Sequence, residues 1–590
     1  MTCLLLGRHT FSGTHQEPPH GGSPEGTTAS GRVAPHRGGA GRLCAAGRLR
    51  AGPGDRDGAV LGRRRRLRRP GARWRRVDFT VPRSGPSTLR LSWTGTADLR
   101  FTVFNSATGQ KLGENLTAAN PKTVTLDLQA GVAYHSGVWA ASGVGTYSYV
   151  LIQDTPSPTT TTTTPPPAVR PNVVVINTDD MRADMVAHLP KLRQWLADGG
   201  TTFRNAYVST PSCCPSRASL MGGRYVHNNG QFRQLTLGFD LGLTIQRYLH
   251  DAGYLTGHAG KFLHWLDLSV EAPHFDRWTY FKGGYENVYM NFDGTVRRSQ
   301  GYSTTIVFDR AIEYVDDFER RGDARPFYLH LAPVAPHAPY VAEPKYAAAT
   351  VPAHQPDPSY MEADRSDKPP FVRSQNQTPA ASQANRTAQI RTLYSVDDQV
   401  DRLLRHLQAT GELANTLIIF TSDNGFLLGE HKLTEKFLPY RKAVEVPFLV
   451  RWPGRVAAGA VDDRLVTHVD VAPTILAATG VTQSQATLDG RNILSGFSRP
   501  RALMEYWNDA NNNANIPTWA SIRTAAFQYT EYYDNATPAN VTLREYYNLA
   551  ADPYQLVNLL GDGVPGNDPD TATLSQTLRA ARQCAGTSCP

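Results

Sequence analysis

A run of threonine and proline divides this chain of 590 residues into two folding units. The run reads Thr155-Pro-Ser-Pro-Thr-Thr-Thr-Thr-Thr-Thr-Pro-Pro-Pro167. Segments of this composition are extended and semi-rigid, and they keep neighbouring modules apart. We therefore predict a linker at residues 155–168, with one domain at 77–154 and a larger one at 169–590.

The basic character of the chain belongs to its first segment. Residues 1–76 contain sixteen Arg, no Lys and four acidic residues, a net charge of +12. Since the whole chain carries +9, the other 514 residues carry −3, and no nucleic-acid partner is expected for them. Residues 1–76 hold too few apolar side chains for a core, so we predict disorder. The segment is either a basic arm or a misplaced start, and we favour the second interpretation.

Residues 77–154 alternate between apolar and polar side chains with the period of a β-strand. Six short runs share this pattern: Val77–Val81, Thr88–Trp93, Leu99–Phe104, Thr123–Leu128, Val132–Val138 and Tyr147–Ile152. Six strands in so short a segment, with turn residues between them, predict a small β-sandwich. Two roles stay open for this domain, namely carbohydrate or cell-wall binding through exposed aromatic side chains and service as a spacer.

From Arg170 onwards apolar strands alternate with amphipathic helices, which predicts an α/β fold. Asn172-Val-Val-Val-Ile-Asn177 is typical of a strand buried on both faces. Further strands are predicted at 327–331 and 416–421, and helices from 192, at 303–319, at 390–407 and around 472–478. We interpret residues 352–382 as a long surface insertion, and the chain after the last helix as a strand-rich tail.

The segment Cys213-Cys-Pro-Ser-Arg217 has the features of an anion site. Pro215 suits the first turn of a helix, and Ser216 is expected to bond the free amides there. The positive end of a helix attracts anions, and Arg217 adds a permanently charged fork. A structural disulfide is the alternative for either cysteine, but the residues that follow make it the poorer interpretation.

Polar side chains also stand at the carboxyl ends of three predicted strands, the edge at which open α/β sheets bind ligands. Asp179 and Asp180 follow the first strand, Asp423 and Asn424 follow 416–421, and His337 comes after 327–331. Three carboxylates and an amide oxygen form a hard ligand set. This combination predicts a site for Ca²⁺ or Mg²⁺.

Cys213-Cys-Pro-Ser-Arg217 resembles the signature of the type I, formylglycine-dependent sulfatases. The resemblance runs from about Arg170 to about Leu560, and Arg544–Leu559 is similar to the closing segment of the family. It implies an alkaline-phosphatase-like domain with a central mixed sheet and a small C-terminal antiparallel sheet from about residue 500. One departure is Met221-Gly222-Gly223, where the family usually has Leu-Thr-Gly.

In this family the first cysteine of the signature is oxidised to formylglycine, whose hydrate is the nucleophile. The resemblance therefore implies conversion of Cys213 by a formylglycine-generating enzyme. It also implies one divalent ion, generally calcium with Mg²⁺ as the alternative. The implied metal ligands are Asp179, Asp180, Cys213, Asp423 and Asn424.

The family resemblance assigns roles to further residues around this ion. Arg217 and Lys261 would contact the sulfate group. His337 and Lys436 would lie near the oxygen of the leaving group, where a proton must be supplied.

In the family, a base removes a proton from the nucleophile in a second step that releases sulfate. This base stays open between His227 and His264. The usual Gly-Lys-Trp-His of the family reads Gly260-Lys-Phe-Leu263 here, so the histidine is displaced by one position. His431 is a further candidate for the pocket.

Together these residues imply hydrolysis of sulfate esters of a carbohydrate or an aryl alcohol. The doubled cysteine and Gly-Lys-Phe-Leu are similar to the N-acetylglucosamine-6-sulfatase and endosulfatase branch, which acts on glycosaminoglycans. Two alternatives stay open. One is a phosphonate monoester hydrolase or phosphodiesterase of the same superfamily, and the other is a non-catalytic protein that binds sulfated glycans.

An extracellular location is expected, although no signal peptide is visible in the sequence. The Thr/Pro linker is typical of secreted hydrolases, and Cys584 and Cys589 are predicted to form a disulfide in a short tail loop. No apolar stretch reaches the length of a membrane span.

Overall fold

The structure is a computed structural model that describes residues 65–67, 75–81, 84–95, 98–117, 122–142, 145–152, 170–236, 238–483, 486–510, 515–537 and 539–590. The chain divides into two compact units, Met1–Thr163 and Thr164–Pro590. The predicted linker at 155–168 lies outside the described residues, as do most of residues 1–76.

The first unit is a β-sandwich. Its strands are β1 Arg65–Leu67, β2 Arg75–Thr80, β3 Gly85–Gly95, β4 Asp98–Asn105, β5 Lys111–Asn115, β6 Lys122–Leu128, β7 Ala133–Ser142 and β8 Gly145–Ile152. They form two antiparallel sheets, in the orders β1-β8-β3-β6 and β2-β7-β4-β5. Leu89 and Leu91 of one sheet share a buried core with Phe101 and Val138 of the other, as the alternation of apolar residues predicts.

Two features of this unit differ from the prediction. Residues 1–76 were expected to be disordered, but Arg65–Leu67 pairs with Gly145–Tyr147, and β2 begins at Arg75 rather than at residue 77. Backbone hydrogen bonds to a sheet edge can hold such a strand, whatever its side chains, so composition does not reveal it. The polar strand Lys111–Asn115 was also missed, because its side chains are largely outside the core.

The second unit is built on a ten-stranded mixed sheet. Its strands, with one separate ribbon, are β9 Asn172–Thr178, β10 Thr201–Tyr207, β11 Leu255–Lys261, β12 Arg277–Phe281, β13 Tyr289–Phe292, β14 Thr295–Arg298, β15 Phe327–Ala332, β16 Thr416–Ser422, β17 Leu427–Leu428, β18 Thr434–Glu435, β19 Phe448–Arg451 and β20 Ala460–Thr467. The order is β14-β13-β12-β11-β15-β9-β16-β19-β10-β20, and β17 pairs with β18. Strands β12, β11, β15, β9 and β16 are parallel neighbours.

Helices cover both faces of this sheet. They are α1 Pro190–Leu192, α2 Cys213–Gly222, α3 Val226–Asn229, α4 Ile245–Asp251, α5 Ser303–Glu319, α6 Pro370–Arg373, α7 Pro379–Ala409, α8 Arg441–Val444, α9 Val471–Thr479 and α10 Thr571–Arg582. A π-helical turn, Arg193–Ala197, continues α1, and single 3₁₀ turns connect other elements. One core includes Cys214, Ala218 and Ile475, whereas the other includes Tyr314 and Leu403, so α2 and α9 lie on one face and α5 and α7 on the other.

The prediction placed α5 correctly and began α7 eleven residues too late. Thr378 caps α7 by accepting a hydrogen bond from the Ala381 amide, and Pro379 fills its first turn, a start signal that the apolar period does not contain. The expected surface insertion at 352–382 is instead a folded connection. Lys368 is buried in it and donates to the Leu556 carbonyl at 2.7 Å.

The C-terminal part is an antiparallel meander of β21 Ala502–Tyr506, β22 Thr518–Arg523, β23 Phe527–Tyr533 and β24 Val541–Asn548. It agrees with the sheet expected from about residue 500. The predicted disulfide between Cys584 and Cys589 is confirmed.

One glycine determines how closely β11 approaches β15. Gly260 has φ +128°, and a Cβ built there would lie 2.1 Å from the Ala332 carbonyl oxygen. Only glycine tolerates both constraints. The close approach brings the next residue, Lys261, to the carboxyl end of the parallel strands.

Candidate active site

The acidic residues meet because β9 and β16 are parallel neighbours in register, with Thr178 opposite Ser422. Each strand ends there, so Asp179 and Asp180 lie beside Asp423 and Asn424. The Asp180 amide donates to Asp423 Oδ1 at 3.1 Å, and Asp180 has φ +69°. The short polar side chain of Asp is one of the few that tolerate this left-handed backbone.

Cys213 begins α2 and points into this acidic group. Its side chain is buried, Lys436 Nζ donates to its Sγ at 3.0 Å, and Sγ lies 3.6 Å from Asp179 Oδ1. Burial raises the pKa of the Cys213 thiol to about 12, despite the opposing charges of Lys261 and Lys436. The unmodified side chain is therefore a neutral thiol at neutral pH.

Two cations, Arg217 and Lys261, pair with the carboxylates of this acidic group. Arg217 Nε and Nη2 both lie 2.8 Å from Asp423 Oδ2, and Nη1 donates to the Lys261 carbonyl at 2.9 Å. Lys261 Nζ pairs with Asp179. Burial opposes ionisation of Asp179, but the charges of Lys261, His337, Arg217 and Lys436 hold its pKa well below the usual range.

His337 stands where the site meets solvent. Its side chain is 31% exposed, and Nε2 lies 3.8 Å from Asp180 Oδ2. Tyr285 Oη donates to the His337 carbonyl at 2.5 Å and so fixes the backbone of this loop. The ring can therefore reach a molecule entering from outside while it remains next to the carboxylates.

The residues present fit a hard divalent cation. Ligand atoms of Asp179, Asp180, Cys213 and His337 all lie within 4.8 Å of one another. Asn424 Nδ2 donates to Asp180 Oδ1 at 2.7 Å, whereas its Oδ1 is buried and has no hydrogen-bond partner among the described residues. A buried orphan oxygen beside three carboxylates is the arrangement that Ca²⁺ or Mg²⁺ would complete.

The structure gives different surroundings to His264 and His227, the two candidates for the base of the second step. His264 lies close enough to the acidic residues for the charges of Lys261 and Asp179 to act on it. Its amide donates to Cys214 Sγ at 3.2 Å, and its ring Nε2 lies 3.0 Å from the Lys282 carbonyl. Burial and the charge of Lys261 lower the pKa of His264 to about 4. In His227, Nδ1 bonds Glu505 at 2.7 Å and Nε2 bonds the Cys584 carbonyl at 2.9 Å, so the ring is held by the C-terminal part.

His431 is also engaged away from Cys213. Its Nδ1 bonds Glu362 at 2.7 Å, and its ring packs on Tyr440 with centroids 4.5 Å apart. It supports the connection to the C-terminal sheet.

One residue that supports α2 was not found from the sequence. Ser216 was expected to bond the free amides of the helix, but its Oγ lies 2.9 Å from His468 Nδ1, and His468 Nε2 lies 3.2 Å from Thr421 Oγ1. The buried ring therefore ties α2 to β16. The only sequence signal was the capping box Thr467–Asp470 around this histidine.

Acid should destabilise the protein through His468. Burial and the charge of Arg217 lower its pKa to about 3, so below pH ~6.5 the unfolded chain binds a proton that the native state excludes. The stabilisation is present above that pH and is lost as the pH falls towards 3. In urea unfolding, we expect His468→Gln to lose less free energy of unfolding than wild type between pH 7 and pH 4.5. Equal losses in the two proteins would contradict this role.

Within the described part of the chain, no helix combines the length and the apolar character needed to cross a bilayer.

The fold and the cation-braced acidic site define a class of hydrolase, and comparison with known proteins identifies its family. The profile of the Sulfatase family matches residues 171–481, more than half of the chain. That of the N-sulphoglucosamine sulphohydrolase C-terminal domain matches residues 429–583. The chain belongs to the sulfatase family, whose members are sulfuric ester hydrolases.

Curated relatives show how much of the chain is shared. The N-acetylglucosamine-6-sulfatase of Homo sapiens is 28% identical over 71% of this chain and 86% of its own length. The extracellular sulfatase SULF-1 homolog of Drosophila melanogaster is 34% identical over 58% of this chain. The chain spans only about a third of that relative, 32% of its length.

Solved structures share the fold. A structure reported in complex with its substrate D-glucosamine-2-N,6-O-disulfate matches 70% of this chain and 97% of its own, with TM-score 0.62 and 23% identity. A phosphonate monoester hydrolase from Silicibacter pomeroyi matches 70% of this chain and 95% of its own, with TM-score 0.57 and 24% identity. At these identities the likeness concerns the fold, and the predicted alkaline-phosphatase-like sulfatase fold is confirmed.

Proposed function

We propose that this protein hydrolyses sulfate esters of a sugar related to N-acetylglucosamine 6-sulfate, with the side chain at position 213 as the nucleophile. The observation that carries the proposal is the position of Cys213. It lies at the start of α2, between the carboxylates at the ends of β9 and β16 and the cations Lys436 and Lys261.

The cations are arranged to bind a tetrahedral oxyanion. Interactions with carboxylates raise the pKa values of Lys261 and Lys436 despite their burial, so both stay charged at neutral pH. Arg217 is held rigidly by Asp423 and the Lys261 carbonyl. Charges fixed before the substrate arrives stabilise a charged transition state without reorganisation.

His337 is proposed to protonate the departing alcohol, with Lys436 beside it. Its partial exposure and its position next to Asp180 place it between the buried group and solvent, where the leaving group must exit. His264 is proposed as the base that removes a proton from the nucleophile in the second step, in which sulfate is released.

Two groups complete this proposal. Formylglycine, made from Cys213 by a formylglycine-generating enzyme, supplies a geminal diol in place of the thiol. Ca²⁺, or Mg²⁺, held by Asp179, Asp180, Asp423, Asn424 and the side chain at 213, supplies Lewis-acid polarisation of the sulfate oxygens.

The class of substrate is proposed from the names of the relatives and from the motif resemblance of the sequence. Relatives named N-acetylglucosamine-6-sulfatase and extracellular sulfatase support a sulfated sugar, and aryl sulfates are the simplest test substrates. The Cys584–Cys589 disulfide fits an oxidising compartment, and we propose that the protein is secreted.

The test of the nucleophile is the mass of the tryptic peptide Asn205–Arg217 from protein made by its native host. We expect a shift equal to replacement of CH₂SH by CHO at Cys213. Cys214, in the same peptide, should keep its thiol and serves as the internal control. A peptide with two unmodified thiols would favour a protein that only binds sulfated glycans. Rates on an aryl sulfate and a phosphonate monoester, measured side by side, would distinguish the phosphonate hydrolase alternative.

A further inference from the structure

A hairpin at one edge of the ten-stranded sheet carries an exposed aromatic side chain without an evident structural role. It consists of β13 and β14, and Tyr289 lies directly opposite Arg298 in the register. The side chain of Tyr289 is 63% exposed, the largest value among the exposed large hydrophobic residues of the described chain.

Other apolar residues extend this surface. Asn291 and Val296 form the next pair that faces the same side of the hairpin, and Asn291 Nδ2 donates to the Val270 carbonyl at 2.9 Å. Val270 and Val296 are each 42% exposed. We define the Tyr289 face as Val270, Tyr289, Val296 and Arg298.

Positive charge borders this face. Lys282 and Arg298 are exposed, and across the described residues no carboxylate lies within 4.0 Å of their cationic atoms. Arg298 Nε donates to the Asn287 carbonyl at 2.8 Å. The arginine is therefore oriented, but its charge is not neutralised.

The chain direction places Tyr289 and Arg298 at the same edge of the sheet as the site. Strand β12 runs parallel to β11 with Phe281 opposite Lys261, so it ends at the catalytic edge of the sheet. Strand β13 then leads away from that edge and β14 returns to it. Tyr289 starts β13 and Arg298 ends β14, so both lie at the end of the hairpin that faces the site.

The segment between β12 and the hairpin also borders the opening of the site. The Lys282 carbonyl bonds the His264 ring at 3.0 Å, and Tyr285 bonds the His337 carbonyl. The segment between β12 and the hairpin therefore contacts both His264 and His337, and it continues directly into Tyr289.

We propose that the Tyr289 face is a subsite for a further anionic sugar unit of a substrate whose sulfate ester lies at residue 213. The sugar ring stacks on Tyr289, and its sulfate or carboxylate group binds Arg298 and Lys282. This inference rests on the proposed sulfatase function and specifies that the substrate is a polyanionic glycan chain rather than a single sugar.

The subsite is preorganised, because buried groups hold the hairpin. Asn291 is fully buried and also accepts a hydrogen bond from Trp278 Nε1 at 3.1 Å. The guanidinium groups of Arg297 and Arg310 lie 3.9 Å and 5.3 Å from the centre of the Phe292 ring. A rigid platform loses little entropy when a ligand binds.

The test compares a sulfated glucosamine–uronic acid tetrasaccharide with a small aryl sulfate. For Tyr289→Ala and Arg298→Ala, we expect kcat/KM on the tetrasaccharide to fall about tenfold each, the effect of one good contact, while kcat/KM on the aryl sulfate stays unchanged. Matched controls are Val461→Ala, an exposed residue of β20 at the opposite sheet edge, and Arg579→Ala, an exposed arginine of α10. Both should behave as wild type on both substrates.

Unchanged tetrasaccharide kinetics, or equal losses on both substrates, would overturn the subsite. If the wild type hydrolyses neither substrate, the proposed function fails and the subsite is tested by binding alone. Calorimetric titration of the tetrasaccharide into Cys213→Ala should then give an affinity that falls about tenfold when Tyr289→Ala is added. No change in that affinity would overturn the inference independently of activity.

Discussion

Replacement of Cys213 by alanine is expected to lower kcat for an aryl sulfate by at least about 10⁴-fold, as removal of a nucleophile does in other hydrolases. The substitution removes the only atom through which residue 213 contacts both Lys436 and Asp179. The fold should persist, because the cations and carboxylates around the position still pair with one another. The measurement is steady-state hydrolysis together with circular dichroism to verify folding.

Cys214 provides the matched control. It is equally buried, but its sulfur packs in the apolar core behind α2. Cys214→Ala should lose some stability through the smaller side chain, about 1 kcal/mol, and should keep substantial activity. If Cys213→Ala retained full turnover, or if Cys214→Ala lost as much activity, residue 213 would not be the nucleophile.

Removal of divalent metal should abolish activity and lower the stability of the sulfatase domain. A ligand that binds only the native state at 100 times its Kd adds about 2.7 kcal/mol to the free energy of unfolding. We therefore expect the Tm of chelator-treated protein to rise on addition of Ca²⁺, and sulfate release to return with it. Thermal unfolding and activity are followed in the same titration.

Asn424→Ala should eliminate the Ca²⁺-dependent rise in Tm, because it removes the buried oxygen that has no other partner among the described residues. Asn567→Ala, an exposed amide bonded to Asp562 at 2.8 Å, should keep the rise. A calcium response that survives Asn424→Ala, or that is absent in wild type, would contradict the assignment of this metal site.

Much of this architecture could be predicted because the relevant signals are local in sequence. The apolar run before Asp179 and the one before Asp423 each predict a buried strand followed by polar residues. The helical period of 303–319 reproduces α5 as the structure has it. The cysteine signature and the Gly-Lys pair were recognisable as motifs, and the family to which they point is the one whose profile matches.

Other features depend on partners distant in the chain. Thr378 and Pro379 start α7 in a stretch whose composition resembled a loop, and the Arg65–Leu67 strand exists through pairing with β8. Nothing in the neighbourhood of His468 shows that its ring meets Ser216, 252 residues away. Hydrogen bonds of this kind depend on the packing of α2 against the turn His468–Asp470, which no local pattern encodes.

The amino-acid sequence by itself predicted a division into domains and determined the sulfatase signature and the set of charged residues available to a site. Only the tertiary structure decided that the His264 ring bonds the Lys282 carbonyl whereas His227 is held by Glu505 and Cys584. It also decided that the Asn424 oxygen has no hydrogen-bond partner in the described part of the chain and that Tyr289 lies opposite Arg298 at the sheet edge shared with the site. The reason is geometric, because strand order and chain direction set which carboxyl ends share an edge, and these are properties of the whole sheet.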